Sequence, residues 1–95
     1  VLDGEAGTLR HIATVEEPSS GRLMKVYTDL PGVQFYAGNF LKPEAGKNGA
    51  AYDYRYGLCL ETQYYPDTAN QPAFPSAVFG PEREYVSTTI YKFEV

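Results

Sequence analysis

Five short runs rich in β-branched and aromatic residues constrain the fold of this chain more than any other feature. Apolar and polar residues alternate within them, and strict alternation over residues 85–94 is typical of a β-strand. No segment combines a capping residue with the 3.6-residue period of a helix. The sequence therefore predicts an all-β protein. The predicted strands cover residues 8–15, 22–28, 33–37, 58–63 and 85–94.

The segments between these strands include a tight turn at Pro18 to Gly21 and two long loops. Residues 38–54 are rich in Gly, Ala, Lys and Asn, and residues 66–81 contain four prolines. A compact domain of 95 residues rarely contains two such loops. We therefore expect the loops to form the rim of a site that belongs to a larger sheet.

Composition and charge exclude several functional classes. The net charge is −4 and the 8 Lys and Arg residues are scattered, so we expect no nucleic-acid partner. No apolar run approaches about 18 residues, which predicts no membrane span. The single cysteine permits no internal disulfide and favours a reducing compartment such as the cytoplasm. One His and one Cys cannot complete a metal site of the usual kind, and we expect no cofactor.

Glu61 is the most unusual residue because it places a carboxylate inside an apolar, strand-like run. Strand interiors are depleted in Glu, and a buried carboxylate is costly unless it is paired or hydrogen-bonded. Alternation puts Glu61 on one face of its strand with Cys59 and Gln63, and Leu60 on the other. Two alternatives are open from the residue alone. Glu61 either forms an ion pair with an arginine such as Arg55 or meets a ligand in a cleft.

Three sequence blocks resemble the C-terminal part of the aldose 1-epimerase family, whose members are also called galactose mutarotases. They are GVQFYAGNFL at residues 32–41, GLCLETQ at 57–63, and the proline-rich segment at 66–76. The blocks follow the family's order and spacing, and matching positions run from about Gly21 to Phe93. The chain departs from the family at Gln71, where His is common, and at residues 80–82, which read Gly-Pro-Glu instead of Pro-Gly-Glu.

The resemblance implies a fold, a reaction and two site residues. Family members are large antiparallel β-sandwiches, so residues 1–95 would be the C-terminal fragment of one such domain. They interconvert the α and β anomers of hexoses such as glucose and galactose by acid/base ring opening. The Glu that matches Glu61 removes the anomeric proton, and the Gln that matches Gln34 contacts the sugar. The alternative for Gln34 is a hydrogen bond from its amide to neighbouring backbone.

The resemblance also indicates which functional groups these residues lack. In the family, the proton-donating His, a second sugar-binding His and a sugar-binding Asp come from earlier motifs. We therefore expect the chain alone to be inactive, and we expect exposed sheet edges to promote self-association. Two other classes remain open: a non-catalytic carbohydrate-binding module and an inactive structural relative. An epimerase for phosphorylated hexoses is disfavoured because no basic cluster would hold a phosphate.

Other polar and reactive residues are expected to be structural. Gly38 is predicted to adopt a positive φ, and Asn39 to stabilise the loop that follows. Asp67 is predicted to shape the proline-rich loop by hydrogen bonds to it. Cys59 is expected to be a small buried side chain, and His11, the only histidine, an isolated residue on a strand.

Overall fold

Antiparallel strands make up most of the regular structure in the computed structural model, which describes all residues 1–95. Two single helical turns, Lys47–Gly49 and Thr68–Asn70, are far too short to traverse a bilayer. The prediction of an all-β chain with antiparallel pairing and long loops is confirmed. The strands are Arg10–Glu17 (β1), Arg22–Thr28 (β2), Gly32–Tyr36 (β3), Glu44–Ala45 (β4), Ala51–Tyr52 (β5), Cys59–Gln63 (β6) and Thr89–Glu94 (β7).

The larger sheet has the order β1-β2-β7, with β2 in the middle. A tight turn joins β1 to β2, as predicted, and the carboxylate of Glu17 holds it. That carboxylate accepts hydrogen bonds from the hydroxyl of Ser19 at 2.6 Å, and from the backbone N–H groups of Ser19 and Ser20 at 3.0 and 2.8 Å. Hydrogen bonds from Ser19 and then Ser20 lower the pKa of Glu17 from 4.5 to about 2.

The second sheet contains β3 and β6, and a small hairpin lies in the connection between them. This hairpin, β4–β5, falls within the predicted loop at residues 38–54 and is an addition to that prediction. Gly46 allows the tight turn, because a Cβ there would lie 2.5 Å from atoms of the Tyr52 ring. The proline-rich loop at residues 66–81 is irregular, as predicted, apart from one helical turn and a single bridge between Gly80 and Arg83.

The last strand begins four residues later than the alternation predicted, at Thr89 instead of Tyr85. The carboxylate of Asp29 accepts hydrogen bonds from the backbone N–H of Thr88 at 3.0 and 3.1 Å. The ladder with β2 therefore ends where the chain turns at Asp29. Tyr85 instead packs edge-on against Phe79, with ring centroids 4.9 Å apart.

The first strand begins two residues later than predicted because the side chain of Arg10 organises the segment before it. The Arg10 guanidinium donates hydrogen bonds to the carbonyls of Asp3 at 2.8 Å, Thr28 at 3.0 Å and Leu30 at 3.1 Å. The backbone of Thr8 is held in a turn, in which its N–H donates to the carbonyl of Glu5 at 3.3 Å. Residues 8 and 9 are consequently not part of the ladder.

The sheets enclose very little core. Only 6 of the 95 residues are buried, and Val26, Thr28 and Leu30 are the main ones. The radius of gyration is 16.6 Å, whereas a compact domain of this length has about 12 Å. Large apolar side chains such as Phe40 and Phe93 are 85% and 75% exposed. Faces of this kind are normally covered by a second sheet in a β-sandwich.

Several strand edges have no partner in the structure, including the outer edges of β1 and β7 in the larger sheet and of β3 and β6 in the second sheet. Unpaired N–H and C=O groups on such edges can pair with another chain. Self-association through them stays a prediction.

A substitution at Gly38 would test the backbone geometry beside the second sheet. Its φ of +72°, a positive value as predicted, is combined with close packing, since a Cβ would lie 2.8 Å from the carbonyl oxygen of Gly57. Gly21 has a similar φ of +71° with nothing within 4 Å. We expect Gly21→Ala to lower the free energy of unfolding by about 1–2 kcal/mol. Gly38→Ala should cost about 1–3 kcal/mol more because of the overlap. Equal losses in urea denaturation would contradict this geometry.

Candidate functional site

Gln34 and Glu61, the two residues singled out by the sequence, lie directly opposite each other in the β3–β6 ladder. Side chains of directly opposed residues share a face of the sheet, with Cβ atoms about 4.5–5.5 Å apart. Gln34 is exposed, and its amide makes one long hydrogen bond of 3.4 Å to the carbonyl of Phe35. The structure therefore brings the predicted base and the predicted sugar contact to a single point.

Glu61 has no ion-pair partner within the chain. Both of the chain's ion pairs involve Glu94, which contacts Lys25 and Lys92. Arg55, the partner considered for Glu61, instead donates from Nε to Oδ1 of Asn39 at 2.8 Å. The exposed carboxylate of Glu61 is thus available to a ligand, and the sheet-tying ion pair is not formed.

An aromatic pair adjoins these polar groups. Tyr36 lies two residues from Gln34 on the same face, and its ring stacks on Phe40 with centroids 6.3 Å apart and an interplanar angle of 9°. The hydroxyl of Tyr36 accepts a hydrogen bond from the backbone N–H of Phe40 at 3.0 Å. Polar groups beside an aromatic surface suit a sugar, which has hydroxyl groups and apolar C–H faces. Phe40 was not expected here, since its place depends on the loop after β3.

The prediction that Cys59 is buried is wrong. Cys59 pairs opposite Tyr36 and is exposed, on the same face as Glu61. The reason is that nothing in the chain packs over this face of β6. The opposite face is the one that meets the larger sheet, where Thr62 contacts Thr89 at 2.7 Å. Alternation had placed Cys59 on the polar face with Glu61, and only its residue type favoured burial.

The proline-rich loop is organised around Asp67, in agreement with its predicted structural role. Asp67 adopts φ +62° and accepts hydrogen bonds from the side-chain amides of Asn70 at 2.6 Å and Gln71 at 3.0 Å. The bond from Gln71, followed by that from Asn70, lowers the pKa of the Asp67 carboxyl. Tyr65 and Phe74 pack edge-on at 5.2 Å and close the loop at its base.

His11 does not contribute to this site. It lies on β1, in the other sheet, where its Nε2 is 2.9 Å from the hydroxyl of Thr14 and its ring is beside Tyr27. The chain brings no three His, Cys, Asp or Glu side chains together in a metal-binding arrangement. The expectation that no cofactor is needed stays a prediction.

Comparison with known proteins gives a consistent result. Residues 1–92 match the sequence model of aldose 1-epimerases. The chain is 52% identical to galactose mutarotase of Mus musculus over 92 residues, which are 96% of this chain and 27% of that protein. Identity to galactose mutarotase of Homo sapiens is 54% over 87% of this chain and 25% of the relative. Identity to aldose 1-epimerase of Escherichia coli is 40% over 74% of this chain and 21% of that relative. The chain spans about a quarter of the length of these relatives.

The opposed pair predicts a specific effect of charge. Gln34→Glu would place a second carboxylate opposite Glu61, and like charges at opposed positions destabilise a sheet by about 0.2–1 kcal/mol. We expect this variant to be less stable than Gln34→Met in urea denaturation at low salt. The difference should disappear in 1 M NaCl, where the screening length is about 3 Å. Equal stability of both variants at low salt would show that the two side chains do not face each other.

Proposed function

The chain belongs to the aldose 1-epimerase family, and from this membership we propose that the protein containing it interconverts the α and β anomers of a hexose such as glucose or galactose. In this proposal Glu61 is the general base and Gln34 binds the sugar. The single observation that supports it most is their position directly opposite each other on an uncovered face. We also propose that residues 1–95 supply C-terminal strands to a larger antiparallel β-sandwich.

The proposed reaction consists of two coupled proton transfers. The base takes the proton of the anomeric hydroxyl while an acid protonates the ring oxygen, and the bond between the anomeric carbon and that oxygen breaks. The resulting aldehyde rotates, and the same steps run in reverse to close the ring on the other face. Each positioned proton transfer accelerates such a reaction by about 10²–10⁴-fold.

The described residues fit one half of this chemistry. Glu61 offers an unpaired carboxylate, and the Gln34 amide can both donate a hydrogen bond to a sugar hydroxyl and accept one from it. No histidine lies beside them to act as the acid, because the only histidine, His11, lies in the other sheet. We propose that the acid comes from another part of the protein and that residues 1–95 alone do not catalyse mutarotation. We also propose a cytoplasmic location, with which the unpaired, exposed Cys59 agrees.

A second candidate function is binding of carbohydrate without turnover. The observation that favours it is the aromatic pair of Tyr36 and Phe40 beside Gln34, together with the missing acid. Stacking and hydrogen bonds are sufficient to hold a sugar. This candidate predicts saturable binding of galactose with no change in the rate of anomer exchange.

A chimera tests the base. The part of this chain that aligns with the Mus musculus galactose mutarotase, 52% identical over 92 residues, would replace the aligned segment of that protein. We expect the chimera to accelerate mutarotation of α-D-galactose in polarimetry and Glu61→Gln to lower kcat by about 10²–10⁴-fold. Glu16→Gln, the same change at an exposed position on β1, should leave kcat unchanged.

The possible outcomes separate the two candidates. If the Glu61→Gln chimera is folded and retains the activity of its parent, Glu61 is not the base. If the parent chimera is folded and binds galactose but does not turn it over, the non-catalytic function is favoured.

A further inference from the structure

A chain of three threonine hydroxyls links the buried middle of the larger sheet to the strand that carries Glu61. Thr28 on β2 is fully buried, at 0% exposure. Its Oγ1 lies 3.2 Å from Oγ1 of Thr89 on β7, which lies 2.7 Å from Oγ1 of Thr62 on β6. Thr62 directly follows Glu61 in the sequence. These three hydroxyls form a polar contact that joins the two sheets.

The three hydroxyls can donate to one another in series in a single direction. The backbone N–H of Leu30 donates to Oγ1 of Thr28 at 3.2 Å. The Thr28 hydroxyl can then donate to Thr89, and the Thr89 hydroxyl to Thr62. Hydroxyls connected in this way polarise one another, and the low dielectric around Thr28 strengthens the series. Thr89 is the central link, because it alone contacts both other threonines.

Both residues that flank Glu61 are tied to β7. Thr62 is held by Thr89, and the carbonyl oxygen of Leu60 accepts a hydrogen bond from the hydroxyl of Tyr91 at 2.8 Å. Because side chains alternate along a strand, Glu61 points to the opposite face, where Gln34 lies. The backbone around Glu61 is therefore anchored on one side of the sheet while its carboxylate remains uncovered on the other.

We propose that Thr89 is a positioning residue for Glu61. Its hydroxyl holds the Thr62 side chain of β6 against β7, and this fixes the point from which the neighbouring Glu61 carboxylate reaches the anomeric hydroxyl. The proposal rests on the proposed function of Glu61 as the base. A displacement of about 1 Å in a reacting group can cost about 10²-fold in rate. Loss of the hydroxyl should therefore lower kcat more than it affects sugar binding.

The test uses the mouse chimera and three single variants. Thr89→Val keeps the shape of the side chain and removes the hydroxyl, and Thr89→Ser keeps the hydroxyl. Thr88→Val is the matched control, since Thr88 is the exposed neighbour and its hydrogen bonds, all to Asp29, are made by its backbone N–H and carbonyl. We expect Thr89→Val to lower kcat by about 10- to 100-fold per folded molecule with KM close to that of the parent. Thr89→Ser should restore most of kcat, and Thr88→Val should not change it.

A double variant provides a second readout. If the hydroxyls act as one series, Thr62→Val, Thr89→Val and the double variant lose similar amounts of kcat, whereas independent groups give losses that multiply. If Thr89→Val does not fold, Thr62→Val and Thr62→Ser apply the same comparison at the neighbouring link. A merely structural role predicts a lower melting temperature with unchanged kcat per folded molecule, and that result overturns the proposal.

The variants separate the positioning role of Thr89 from the role of Glu61 as the base. Parent-like kcat in Thr89→Val, together with an inactive Glu61→Gln, refutes only the positioning role. Parent-like kcat in Glu61→Gln refutes the base itself. Losses that multiply in the double variant, or a loss that Thr89→Ser does not rescue, also overturn the positioning role.

Discussion

The pairing of β3 with β6 is the constraint on which the candidate site depends. Side chains alternate between faces along both strands, so a slip of one residue would move the entire polar set to the opposite face. In the observed register Gln34 opposes Glu61 and Tyr36 opposes Cys59. Short-range features such as the positive φ of Gly38 support the chain directly after β3. The site is therefore a property of strand pairing.

Polar contacts rather than apolar burial connect the parts of this chain. The Arg10 guanidinium binds four backbone carbonyls, Asp29 binds the backbone ahead of β7, and the threonine series joins the two sheets. A typical intramolecular hydrogen bond contributes only about 0.5–1.5 kcal/mol net, so such contacts orient the strands more than they stabilise them. A proton-transfer site depends on such orientation, because the rate depends on how closely the catalytic group approaches the reacting atom.

Local sequence patterns predicted most strands, and the misses have identifiable causes. The alternation of apolar and polar residues predicted both ends of β2 correctly and the ends of β3 and β6 to within one residue. These strands are dominated by β-branched and aromatic side chains. It placed the starts of β1 and β7 too early because Arg10 and Asp29 bind backbone groups that the ladder would otherwise use. The two-residue strands β4 and β5 are too short to carry a periodic signal.

The sequence could predict which residues form the candidate site, but not how they are arranged in space. Motif resemblance identified Glu61 and Gln34, but their opposition requires a register between segments 27 positions apart, which no local pattern specifies. The exposure of Cys59 was missed for a different reason. Its residue type favoured burial, although alternation placed it on the polar face with Glu61.

A crystal structure of the Glu61→Gln mouse chimera with bound galactose tests the proposed sugar site most directly. We expect the side chain at position 61 to lie about 2.6–3.2 Å from the anomeric hydroxyl. We also expect the amide of Gln34 to contact the same sugar. A galactose bound on another surface, or one whose anomeric hydroxyl points away from position 61, would contradict the assignment of this face as the sugar site.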